Sequence, residues 1–102
     1  MRYQLVLQFC ASSKEDFDDL VALEKLLVDK LPLDAEVDGH DFGCDEFNIF
    51  VLTAYPKETF NAAETIILQQ GLQQQVRAAY RELNNDDFVL LWPPNLREFK
   101  VV

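Results

Sequence analysis

The chain of 102 residues holds three glycines, four prolines, two cysteines and one histidine. Two cysteines, Cys10 and Cys44, cannot staple a disulfide scaffold, and they read as reduced thiols that fill space. So few glycines leave no phosphate-cradling loop, and no cofactor is expected. No apolar run approaches the roughly 18 residues of a membrane-crossing helix, so no membrane partner is expected. The opening stretch M-R-Y-Q-L-V-L-Q-F-C alternates polar and apolar residues where a secretory leader would be continuously apolar, which points to the cytoplasm. Repeats, linkers and low-complexity runs are also missing, so residues 1–102 read as one domain.

Positive charge is scarce as well. Nine Lys and Arg face eighteen Asp and Glu, for a net charge of −9. The excess is concentrated: residues 15–46 hold twelve acids against Lys25 and Lys30. Such a surface repels phosphate backbones, which argues against nucleic acid as a partner. It can steer a basic protein partner by long-range attraction, or serve solubility alone.

What is present is a well-patterned apolar half, 49% of the residues. Tyr3, Leu5, Leu7 and Phe9 alternate with Gln4, Val6 and Gln8, the period of a strand. Ser12 with Glu15, or Ser13 with Asp16, supplies a capping-box pattern for a helix running to about Leu31, where Pro32 stops it. Phe17, Leu20, Val21, Leu23, Leu27, Val28 and Leu31 form its apolar stripe. Glu24 falls inside that stripe. It must either sit at the stripe's edge, the favoured reading, or meet a donor, because a buried unpaired carboxylate is costly.

Residues 35–42 read as a polar edge strand and 46–54 as a central strand apolar on both faces. Pro56 opens a second helix, with Phe60, Ala63, Ile66 and Ile67 on its inner face. Gly71 followed by Leu72 matches a glycine stop, so that helix should close near Gln70. Residues 75–83 are then a strand, against the helix preference of Ala78 and Ala79. Asn84 to Asp87 make a turn, and residues 88–92 return as the second arm of a hairpin that Pro93 and Pro94 end. Asn95–Val102 is left as a tail that could add a short edge pairing.

The order β-α-β-β-α-β-β implies an α+β ferredoxin-like split βαβ sandwich with two helices on one face of an antiparallel sheet. The other face, with Val6 and one of the pairs Phe50/Leu52 or Ile49/Val51, is expected to be open and partly apolar. Such a face calls for a partner, a homodimer or a covering tail.

The segment D-G-H-D-F-G-C-D-E, residues 38–46, gathers the only histidine, one cysteine and four carboxylates. Asp38, His40, Asp41, Cys44 and Glu46 are all metal-ligand types. Strand neighbours such as His40 and Asp41 point to opposite faces, however, and no second histidine completes a site, so no metal is expected. A Cys44–His40 nucleophile pair lacks the cationic surroundings a reactive thiolate needs. A carboxylate site with His40 as acid/base remains open. The favoured reading is a shaped hairpin in which Gly39 and Gly43 permit a bulge or turn, and His40, Asp41 and Asn48 satisfy backbone groups.

The stretch G-H-D-F-G-C-D-E-F-N-I-F and the later F-V-L-L-W-P-P resemble a set of uncharacterised bacterial proteins of this length. In those the first segment often reads G-H-D-x-G-x-G-E-x-N-I-F. The match falls on Gly39, His40, Asp41, Gly43, Glu46, Asn48, Ile49 and Phe50, and the departure on Asp45, where a glycine is usual. The resemblance implies an α/β fold with a terminal hairpin and carries no activity.

The expected function is a non-catalytic acidic interaction domain, of the inhibitor or immunity type, or a subunit dimerising through its open sheet face. The alternative is a small ferredoxin-like enzyme or ligand sensor with a pocket near His40. Asp38, His40, Asp41, Glu46, Asn48 and Trp92 are the candidate binding residues, with no residue assigned to catalysis. Trp92 enters that set because an aromatic beside Pro93 and Pro94 can form a peptide-binding platform.

Overall fold

The structure, a computed structural model, describes residues 2–101. Five strands, β1 (Tyr3–Cys10), β2 (Ala35–Gly43), β3 (Glu46–Thr53), β4 (Arg77–Glu82) and β5 (Val89–Trp92), and two helices, α1 (Lys14–Lys30) and α2 (Pro56–Gln69), follow the expected order. The strands form one sheet in the order β2-β3-β1-β4-β5, with every neighbouring pair antiparallel. This is the ferredoxin-like α+β sandwich, extended at one edge by β5.

Alternation decides which face each residue joins. Leu5, Leu7 and Phe9 of β1 and Phe47, Ile49 and Val51 of β3 are buried with Leu20, Leu23 and Leu27 of α1 and Phe60, Ala63, Ile66 and Ile67 of α2. Fully burying a side chain of this kind contributes about 1.5–3 kcal/mol. Val28, assigned to the α1 stripe by periodicity, is 61% exposed instead. Leu26 packs partly against the core, so the stripe lies further round the helix than the seven-residue pattern indicates.

Both helix ends follow from local chemistry. Ser13 caps α1, its Oγ accepting from the Asp16 amide at 3.1 Å, while Asp16 Oδ2 accepts from the Ser12 amide. At the end of α2, the Gly71 amide donates to the Leu68 carbonyl and the Leu72 amide to that of Ile67. With Gly71 at φ 73°, this is the Schellman closure, and it frees the chain for β4. One 3-10 turn, Gln73–Gln75, bridges the gap. Residues 77–82 are strand despite Ala78 and Ala79, because tertiary pairing overrides propensity: both alanines are fully buried and paired with β1 on one side and β5 on the other.

Two expectations need correction. Cys10 and Cys44 are free thiols but both are exposed, so neither fills interior space. The C-terminal tail adds no strand. It crosses the second face of the sheet, where the Lys100 carbonyl accepts from Gln8 Nε2 at 3.0 Å and Phe99 meets Phe88 with ring centroids 5.0 Å apart. Val102 lies outside the described residues. Central placement and this cover together explain why Val6 and Gln8, on the face away from the helices, are as buried as the core.

Candidate functional site

The hairpin of β2 and β3 carries the segment singled out by its composition. Gly43 lies opposite Glu46, which leaves Cys44 and Asp45 as a two-residue connection. Both have positive φ, 53° and 60°. Two left-handed residues are what a type I′ turn demands, and that turn matches the twist of the flanking strands. Side chains with a Cβ resist this conformation by roughly 1–2 kcal/mol each. Asp45, at φ 60°, thus holds a left-handed conformation that glycine adopts without this penalty.

Further from the turn, Val37 lies opposite Val51 and His40 opposite Ile49. Asp38 and Gly39 together face Phe50, a β-bulge, with Gly39 at φ 95°. The extra residue reverses which way the outer part of the hairpin alternates. Uninterrupted pairing from Val37 would set His40 opposite Asn48, on the face away from the helices. The bulge sets it opposite Ile49, under α1.

There His40 Nδ1 lies 2.8 Å from Glu24 Oε1. The ring stacks on Phe47, with centroids 4.6 Å apart and planes 19° off parallel, and Phe17 meets it edge-on. The Glu24 side chain is 14% exposed and that of His40 32%. Glu24 thus meets a donor inside the stripe, contrary to the favoured edge position. The charge tolerated within an apolar face is explained by a partner sixteen residues away in sequence.

Asp41, opposite Asn48, points to the other face, as do Asn48 and Glu46. The predicted set is therefore divided by the sheet. On the second face Gln8 Nε2 donates to Asn48 Oδ1 at 3.0 Å, and the Arg77 guanidinium donates to Glu46 Oε2 at 2.7 Å. The second carboxylate oxygen of Glu46, Oε1, is buried with no hydrogen-bond partner among the described residues. Gln8 and Arg77 were missed by motif reading. The polar half of the first strand's alternation was the available signal for Gln8, and nothing short of the β1–β4 register brings Arg77 beside it. Asp38 is exposed in the bulge.

Trp92 stands apart from all of these, on the opposite edge strand β5. It packs against the core and lines a cleft of about 270 Å³ with Glu64, Thr65, Leu68 and Gln73. Five surface clefts among the described residues are lined by side chains other than His40 and Glu24. Among the described residues no three histidine, cysteine or carboxylate side chains converge as a metal site would require. The His40–Glu24 contact joins a bulged edge strand to the middle of a helix, and its geometry is that of a clamp.

No protein-family model, curated protein or solved structure matches this chain.

Proposed function

We propose that this chain is a non-catalytic interaction domain, of the inhibitor or immunity type, whose acidic surface on α1 and β2 binds a basic protein. The observation that carries this reading is the placement of the carboxylates. Glu15, Asp18, Asp19, Asp29, Asp34, Glu36, Asp38, Asp41 and Asp45 are all exposed, and they sit on one helix, the adjoining edge strand and their connections. α1 packs against β2, so their fields add around that edge of the sheet, although Glu36 and Asp41 lie on the face away from α1. The engagement of His40 by Glu24, Phe47 and Phe17 weighs against the alternative of an enzyme or sensor with a pocket there. The tail laid over the second sheet face weighs against homodimerisation through that face.

The test begins with affinity capture from host lysate at low and high salt, followed by stopped-flow association with the captured protein. The association rate should fall steeply with ionic strength while dissociation changes less. Reversal of Asp18 and Asp38 to lysine should slow association and leave the fold intact, because exposed charges contribute little to stability. An association rate indifferent to salt and to these reversals would remove the acidic surface from the function.

A further inference from the structure

The acidic side of the molecule ends in a feature that charge alone does not describe. β2 is the outermost strand of the sheet, nine residues long, with no neighbour beyond it among the described residues. Its outer rim presents unpaired backbone N–H and C=O groups, a template for another strand. The opposite rim, β5, has only four residues and runs into Pro93 and Pro94.

The side chains along β2 are sorted by face. Val37, His40 and Phe42 lie opposite Val51, Ile49 and Phe47, on the helix side. Phe42 is 46% exposed and meets Phe17 of α1 edge-on, ring centroids 5.2 Å apart. Glu36 and Asp41 lie opposite Leu52 and Asn48, on the other side, and both are exposed. A strand added beyond β2 would therefore find an aromatic and apolar row on one face and a carboxylate row on the other. Cross-strand neighbours of opposite charge attract, and like charges directly opposite repel. Pairing with a second copy would bring Glu36 and Asp41 of both copies onto one face, carboxylate beside carboxylate.

We propose that the outer edge of β2 accepts an extended segment of the basic partner as a sixth strand, with Lys or Arg alternating with apolar residues. This rests on the reading of the chain as an acidic interaction domain and specifies how that domain grips its partner. Backbone pairing supplies the attachment, and the two rows select the alternating pattern. The apolar residues of the segment lie beside Phe42 and His40, and its cations lie beside Glu36 and Asp41.

The experiment compares two capped peptides of one composition, Lys-Val-Lys-Val-Lys-Val-Lys and Lys-Lys-Lys-Lys-Val-Val-Val, titrated into the isotope-labelled full chain. Amide shifts and hydrogen exchange are followed residue by residue. The alternating peptide should bind about tenfold tighter and slow exchange at alternate amides within residues 35–43. In the double variant Glu36→Lys/Asp41→Lys that preference should vanish. Equal binding of both peptides, with shifts centred on α1 and no protection in β2, would overturn the edge while leaving the acidic reading intact. Binding of neither peptide at low salt would overturn both.

Discussion

His40 Nδ1 lies 2.8 Å from Glu24 Oε1, tying the bulge of β2 to the middle of α1. The contact exists because one residue was added to the strand, and it accounts for a carboxylate inside an apolar stripe. It also implies that the two side chains are energetically coupled. In a double-mutant cycle of Glu24→Ala and His40→Ala, the coupling should be about 1 kcal/mol in urea unfolding. Additive single-variant effects would mean that the contact contributes nothing to stability.

Gly39 should not tolerate a side chain. A Cβ built there meets no atom within 4 Å, so the penalty is backbone strain at φ 95° and not a clash. Gly39→Ala should cost about 1–3 kcal/mol. Because the bulge aims His40, the variant should also shift the His40 and Phe47 ring resonances. A variant as stable as the parent, with unmoved rings, would show that the bulge does not depend on glycine.

The turn should accept improvement. Cys44 and Asp45 hold left-handed conformations that Asn and Gly adopt more readily. The double replacement Cys44→Asn/Asp45→Gly should raise unfolding stability by about 1 kcal/mol, a partial release of the strain offset by the greater freedom of glycine in the unfolded chain. Loss of stability on making the change would contradict a type I′ connection.

The tail should behave as part of the fold. Ending the chain after Leu96 removes Phe99 from Phe88 and the Lys100 carbonyl from Gln8. The truncated protein should lose about 1–3 kcal/mol from uncovered apolar surface and one lost hydrogen bond of the Gln8 amide. It should also bind a hydrophobic dye that the full chain ignores. Unchanged stability and no dye binding would mean that the segment rests on the sheet without holding it.

Much of the fold was legible because it is written in short-range chemistry. Ser13 and Asp16, Pro56, and Gly71 with Leu72 each act within a turn or two of backbone, and they place the ends of both helices. Closing α2 near Gln70 depends on the Gly71–Leu72 stop outweighing the helix propensity of Ala78 and Ala79, and the strand at Arg77–Glu82 follows from it. Val28 shows the limit of periodicity. An ideal wheel places it between Phe17 and Val21, at one margin of the stripe, and the way α1 lies on the sheet leaves it in solvent.

The site was less legible than the fold. The segment from Asp38 to Glu46 reads as one cluster in the sequence, but a sheet sends neighbours to opposite faces, and the bulge changes which ones. His40 went to the helix side, Asp41, Glu46 and Asn48 to the other, and Trp92 to the far edge. Composition could mark these residues but could not group them.

By itself the sequence determined the order and type of the elements, the helix ends and the acidic half of the surface, because each depends on neighbouring residues or on a simple count of charges. Only the tertiary structure decided that His40 finds Glu24 sixteen positions away and that Gln8 finds the Lys100 carbonyl ninety-two positions away. Such contacts depend on strand register and on where a terminal segment comes to rest. Both are set by the joint packing of the whole sheet, where moving one strand by a single residue exchanges its two faces.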